Sequence, residues 1–260
     1  MFVGILMTSL LLAQPSEGVE KLPTAEEQLL QAKAVKAESR GTKGEARVVA
    51  LNKACEAYGA VLKFYPESGL ITAEAAFRQG EIHRSLGRPG PAKGAFESAV
   101  DQGEGSGWEA RGLLEIGHIH RRLVEMKDAL LYYERVMKLE NAHLRYKNDS
   151  REWTGKAHLK LGNWEAAIEK FVEWASNSEG PIEVVRATDL EVGAWIQLGK
   201  LGKAETRLSQ LQEEMSSLAE EPTKESAALA RALERMKSPG TLKKAQEEAL
   251  QEASSPKKEG

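Results

Sequence analysis

A single cysteine stands in 260 residues, which excludes an intrachain disulfide, a thiolate zinc cluster and a CxxC redox centre. Charge of either sign is not in surplus: 36 Lys and Arg face 39 Asp and Glu, a formal net charge of −3. Nucleic acid is therefore not an expected partner, because that recognition needs clustered basic excess. No apolar run reaches the roughly 20 residues a membrane-spanning helix takes. No stretch alternates apolar and polar residues between hairpin turns, so no sheet is expected. Catalytic signatures are missing as well. There is no Gly-x-Ser-x-Gly elbow, no HExxH and no EF-hand loop, and the glycine-rich stretches at 87–90 and 103–107 lack the Lys-Ser/Thr of a P-loop. Acidic doublets such as Glu213-Glu214 read as solvated helix faces. The expectation is a protein that is not an enzyme, with no cofactor, no metal and no small-molecule substrate.

What is present is enough apolar material for a core (41%) and 29% charged residues of both signs, well mixed. That balance suits helices with one solvated face. The length fits one large domain or two small ones. Residues 1–13 (MFVGILMTSLLLA) carry no charge and are nearly all apolar. They match the apolar region of a secretory signal peptide, although no Lys or Arg precedes them and an A-x-A cleavage pattern is missing. Export to the periplasm or cell envelope is the expectation from this run. The alternatives are an uncleaved N-terminal anchor, which would be the chain's one membrane contact, and a cytoplasmic chain that buries the segment. Residues 14–23 read as a linker.

The dominant feature is an internal repeat. Alanines that open amphipathic stretches fall at Ala54, Ala92, Ala129, Ala167 and Ala204, spaced 38, 37, 38 and 37 residues apart. Glycines fall at Gly80, Gly117, Gly155 and Gly193, and the first three each precede their alanine by twelve residues. Four residues after each alanine comes a bulky side chain: Tyr58, Phe96, Tyr133, Phe171 and Leu208. Each unit reads as two helices. The first helices are expected over 72–86, 108–124, 150–161 and 183–198, after a degenerate one at 24–39. The second are expected over 91–100, 127–139, 164–176 and 203–218. Short breakers such as Gly162-Asn163 force each pair antiparallel. A glycine inside a helix costs about 1 kcal/mol relative to alanine, so its recurrence at matched positions implies close packing. The expected packing sets glycine against alanine within a unit, with the bulky residue filling the groove against the next unit.

Gly80-x2-His83 with Ala92-x3-Phe96, Gly117-x2-His120 with Ala129-x3-Tyr133, and Gly155-x2-His158 with Ala167-x3-Phe171 resemble the tetratricopeptide repeat (TPR) pattern, as does Ala54-x3-Tyr58 followed by Pro66. The resemblance covers about residues 24–218. It implies an all-α, right-handed solenoid of antiparallel helix pairs, four to five units at about 24–66, 72–103, 108–141, 148–180 and 183–218. Departures are a period of 37–38 instead of 34, His where Tyr is usual, and a last unit off by one. Polar amphipathic helices over 222–253 are expected to cap the stack, and residues 254–260 to fray. The resemblance also implies a scaffold that binds a protein or peptide partner on its concave face, and by fold-level analogy with exported members it suggests a role in envelope assembly or secretion. The Lys/Asn/Arg carboxylate clamp of chaperone-binding members is not reproduced. A self-assembling structural protein is the alternative function.

His83, His120 and His158 share one repeat position. Equivalent positions in stacked helices lie roughly 8–10 Å apart, too far for imidazoles sharing one zinc at about 2.0–2.1 Å, so local hydrogen bonding is the expected role. Cys55 reads as structural. The candidate partner surface consists of residues around the repeat glycines on first helices: Arg84, Arg111, His118, Arg121, Arg122, Trp153, Lys156 and Lys160. There, bases outnumber the nearby Glu115 and Glu152, which suits carboxylates of an acidic peptide or a chain terminus.

Overall fold

The structure, a computed structural model, describes residues 19–219 and 227–231. The expected leader at 1–13, most of the expected capping region and the 254–260 tail lie outside the described residues. The described residues hold ten long helices and no strand: α1 Ala25–Glu38, α2 Gly44–Phe64, α3 Leu70–Ser85, α4 Pro89–Gln102, α5 Gly107–Arg122, α6 Met126–Lys138, α7 Leu144–Lys160, α8 Trp164–Ser176, α9 Pro181–Gln197 and α10 Leu201–Ala219. None is long and apolar enough to cross a membrane. Each helix packs chiefly on its sequence neighbours, forming a solenoid of five helix pairs. The odd-numbered helices α1, α3, α5 and α7 also touch one another in sequence along short seams. They form the inner layer, and the even-numbered helices the outer one.

Local chemistry sets the helix starts. Thr24 caps α1 by accepting a hydrogen bond from the Glu27 N–H at 3.1 Å, while the Glu27 carboxylate accepts from the Thr24 N–H at 3.2 Å. Prolines occupy the first turns of α4 and α9, where a missing N–H costs nothing. Before α1, residues 19–23 are docked on the first unit. The fully buried Gln28 accepts from the Leu22 N–H at 2.9 Å and donates to the Glu20 carbonyl at 3.2 Å, and the Tyr65 hydroxyl donates to the Leu22 carbonyl.

The repeat packs differently from the expected glycine-on-alanine contact. A Cβ on Gly80 would stand 2.6 Å from the Phe96 ring, and one on Gly117 2.5 Å from the Tyr133 ring; Gly155 meets Phe171 the same way. The aromatic four residues after Ala92, Ala129 and Ala167 therefore packs directly against the glycine of its own unit, and is not directed only at the next unit. Phe96, Tyr133 and Phe171 are fully buried, as are Ala92, Ala129, Ala167 and Ala204, with Ala54 and Tyr58 in the first-unit cluster. In the fifth unit Gly193 has open space where its Cβ would be. The residue in register is Val192, which packs with Ala204 and Leu208. Side-chain volume has moved from one helix to the other: a valine replaces the glycine, and a leucine replaces the ring.

Helix α7 begins six residues before the expected 150, because the inward face of its first turns is polar. Asn148 Nδ2 donates to the Asn177 carbonyl at 3.0 Å, and the Ser150 hydroxyl donates to the Tyr133 carbonyl. Buried polar groups so satisfied erase the apolar period that marks the other helices. At the far end, Leu229 is buried against Val185 and Leu211, so residues 227–231 cover the last helix pair.

Candidate protein-interaction site

The inner helices end in one repeated turn. Leu86, Leu123, Leu161 and Leu198 are the C-caps, followed by Gly87, Val124, Gly162 and Gly199 at φ between 66° and 74°. In each turn the next residue's N–H reaches back five residues, as from Arg88 to the His83 carbonyl (2.9 Å) and from Asn163 to that of His158 (3.0 Å). This is the Schellman closure, and it needs a left-handed residue. It sets the C-terminal ends of α3, α5, α7 and α9 side by side along one edge of the solenoid.

Four expected partner residues meet on that edge. Arg121, Trp153, Lys156 and Lys160 line a cavity of about 420 Å3 with Met126, Leu159, Trp164 and Gln197. The Arg121 guanidinium lies 4.3 Å from the Trp153 ring centre and the Lys156 ammonium 4.6 Å from it. A cation over an indole is held by the ring's negative face, worth roughly 0.5–2 kcal/mol. No carboxylate lines the cavity. Lys156 is paired with Glu152 of its own helix, whereas Arg121 and Lys160 make no ion pair among the described residues.

A repeat comparison shows how Arg121 comes to be unpaired. Glu115 and Trp153 stand 38 residues apart, as Gly117 and Gly155 do, and so hold one position in successive units. Glu115 pairs with Arg84, the counterpart of Arg121 one unit earlier. Glu152, one residue before that position, pairs with Lys156 and with Arg186 of the following unit, the latter at 3.2 Å. Arg121 thus meets an indole where Arg84 meets a carboxylate, and settles on Trp153.

The remaining expected residues are distributed elsewhere. Arg84 and the exposed Arg122 line a smaller apolar cavity of about 190 Å3 with Ile119 and Leu123. Arg111 sits over Phe77 (4.2 Å) and Trp108 (4.4 Å), away from both cavities. His118 is not part of the exposed set. Its Nδ1 and the Tyr133 hydroxyl share a hydrogen bond of 2.9 Å, and its ring abuts Trp153 edge-on, so it braces the indole. Burial, reinforced by Arg121, Arg122 and Arg84, lowers its pKa to about 3, so it is neutral at ordinary pH. Burial also raises the Tyr133 phenol. Met126 and Trp164 escaped the sequence reading because they lie outside the glycine register, and Leu159 and Gln197, four residues after Gly155 and Gly193, because they carry no charge. The first two open outer helices at the turn, and that position was the available signal.

The three repeat histidines have diverged. The His83 Nε2 stands 3.3 Å from Cys55 Sγ. Burial lowers the imidazole and raises the thiol, which keeps Cys55 an unreactive core residue. His120 contacts the Glu125 carboxylate at 2.7 Å and stacks on Tyr132. The Nδ1 of His158 is buried without a hydrogen-bond partner, contrary to the local bonding expected of it. Among the described residues the one group with metal-ligand proximity is His120, Glu125 and Asp128, whose ligand atoms lie within 4.8 Å of one another, with both carboxylates exposed.

No protein-family model and no curated protein matches the sequence. Solved structures do match in fold. The MamA protein shares 18% identity and a TM-score of 0.57, over 76% of this chain and 97% of that one. YrrB, described as a TPR protein with an unusual peptide-binding site, shares 18% identity and a TM-score of 0.52, over 80% and 92%. A tetratricopeptide repeat protein from Parabacteroides merdae shares 17% identity and a TM-score of 0.56, over 89% and 80%. The chain has the TPR-like fold. Within it, the turn-side edge of the inner layer carries the conjunction of apolar cavity and unpaired cations.

Proposed function

We propose that this TPR-like protein is a non-enzymatic interaction scaffold that takes up a peptide segment of a protein partner at the turn-side end of its concave layer. The observation that carries the reading is the Trp153 cavity, in which an apolar floor is ringed by Arg121, Lys156 and Lys160 with no carboxylate in the lining. Such a site suits a segment presenting a carboxylate beside a large apolar side chain. The carboxylate takes a charge-assisted hydrogen bond from Arg121, and the apolar side chain leaves water against Trp153 and Trp164. The peptide-binding site named for YrrB, a structural neighbour, supports the same use of the fold. The apolar run at residues 1–13 supports a place in the cell envelope.

The reading is tested by fluorescence polarisation with short labelled peptides in which Glu or Asp neighbours Leu, Phe or Trp. The expected result is saturable binding that weakens at least tenfold in an Arg121→Glu/Lys160→Glu double variant and is lost when Gln replaces the acid. Equal binding by the variant, or no binding of acidic–apolar peptides to the wild type, overturns it. Envelope location is tested separately by fractionating cells that express the full chain. Recovery in the cytoplasmic fraction at full length would refute export.

A further inference from the structure

The two cavities on the turn-side edge are the same cavity one repeat apart. Arg84, Pro89 and Arg122 line the smaller. Moving 37, 37 and 38 residues along the chain gives Arg121, Met126 and Lys160, which line the larger. Each notch thus has an arginine from the end of one inner helix, an apolar residue from the start of the following outer helix, and a cation from the next inner helix. No carboxylate lines either one.

We propose that the two notches form one docking edge in two registers, fitted to an extended partner segment with acidic side chains three residues apart. This rests on the interaction proposed at the Trp153 cavity and adds a second anchor to it. The spacing follows from geometry. Helices α5 and α3, and α5 and α7, touch directly, so equivalent points on them are separated by roughly 8–10 Å. A polyproline II segment rises about 3.1 Å per residue with three residues per turn, so every third side chain points the same way at a pitch of about 9 Å. One Glu reaches Arg121 and Lys160, and the Glu three residues away reaches Arg122. The second anchor is the weaker of the two. Arg84 is already shared with Glu115, the cavity is less than half the volume of its neighbour, and no indole forms its floor.

Two labelled peptides of one composition separate this arrangement from simple attraction of acid to base. One carries Glu-x-x-Glu and the other the same two Glu side by side, both in a Pro- and Leu-containing frame. Polarisation titrations use the wild type, Arg122→Glu and Lys160→Glu, both at exposed positions, with circular dichroism confirming the fold of each. The spaced peptide is expected to bind the wild type about tenfold more tightly than the adjacent one. Arg122→Glu should erase that advantage while weakening the adjacent peptide by no more than about twofold, through lost long-range attraction, whereas Lys160→Glu should weaken both by far more. Equal wild-type affinities, or an advantage that survives Arg122→Glu, overturns the second register and leaves the Trp153 site standing. Failure of Lys160→Glu to weaken either peptide overturns both.

Discussion

The Cβ that Gly80 lacks would stand 2.6 Å from Cε1 of Phe96, closer than two carbons can come without one of them moving. The ring is fully buried in the cluster that joins the second and third units, so it has nowhere to go. Gly80→Ala should therefore destabilise by about 1–3 kcal/mol, although alanine is the better helix former. Pairing it with Phe96→Leu, after the Val192–Leu208 arrangement of the fifth unit, should restore part of the loss. Urea melts of the two single variants and the double variant check this; additive single-variant costs would contradict it.

Val124 is the only non-glycine residue at positive φ among the described residues, at 66°, and it is 76% exposed. The same turn position holds Gly87, Gly162 and Gly199 elsewhere. A left-handed L-residue costs about 1–2 kcal/mol, part of which is offset by the extra unfolded-state freedom of glycine. Val124→Gly should raise stability by about 0.5–1 kcal/mol, seen as a higher urea midpoint. A lower midpoint would mean that the valine side chain has a contact of its own.

His118 gives a pH dependence of definite sign. Its folded-state pKa of about 3 lies below the ordinary imidazole value of about 6.5. As pH falls through 6.5 the unfolded chain binds a proton that the folded chain refuses, and stability drops. The loss from this residue is about 2 kcal/mol at pH 5. His83 and His158, also lowered by burial, act in the same direction. Wild type should thus lose more stability between pH 7.5 and 5 than His118→Gln does, by roughly that amount in chemical denaturation. Parallel curves would contradict it.

At the N-terminal end, Thr24→Ala removes a side-chain cap and leaves the Glu27 N–H unsatisfied. A cost of about 1 kcal/mol is expected, with faster proteolytic nicking near residues 19–25 than in the wild type. An unchanged cleavage rate would show that Gln28 and Tyr65 hold the segment without the cap.

Most of the architecture was legible because the same glycine–alanine–aromatic spacing recurs, and recurrence survives loss of any one member. Where a side chain compensates for a neighbour, the pattern misleads: Gly193 looked like the fourth repeat glycine, and Val192 holds the place. The early turns of α7 were hidden because Asn148 and Ser150 bury polar groups on backbone carbonyls, and polarity inside a helix face resembles a loop in a one-dimensional reading. At the candidate site, spacing brought Arg121, Trp153, Lys156 and Lys160 into one set because all sit near the repeat glycines, and the structure places the four around one cavity. Spacing could not reveal that Arg84 is already paired and that His118 abuts the indole. Both depend on contacts between units, which a period within the chain does not encode.

The transfer of bulk from Phe171 to the Val192–Leu208 pair also bears on how such a chain can be recombined. An inner helix transplanted from the third or fourth unit would set a glycine opposite Leu208 and leave a void. The fifth unit's own inner helix, moved the other way, would drive Val192 into a phenyl ring. Chimaeras and deletions should be tolerated where the cut falls between hairpins and fail where it falls inside one, so that the heritable module of this solenoid is the pair.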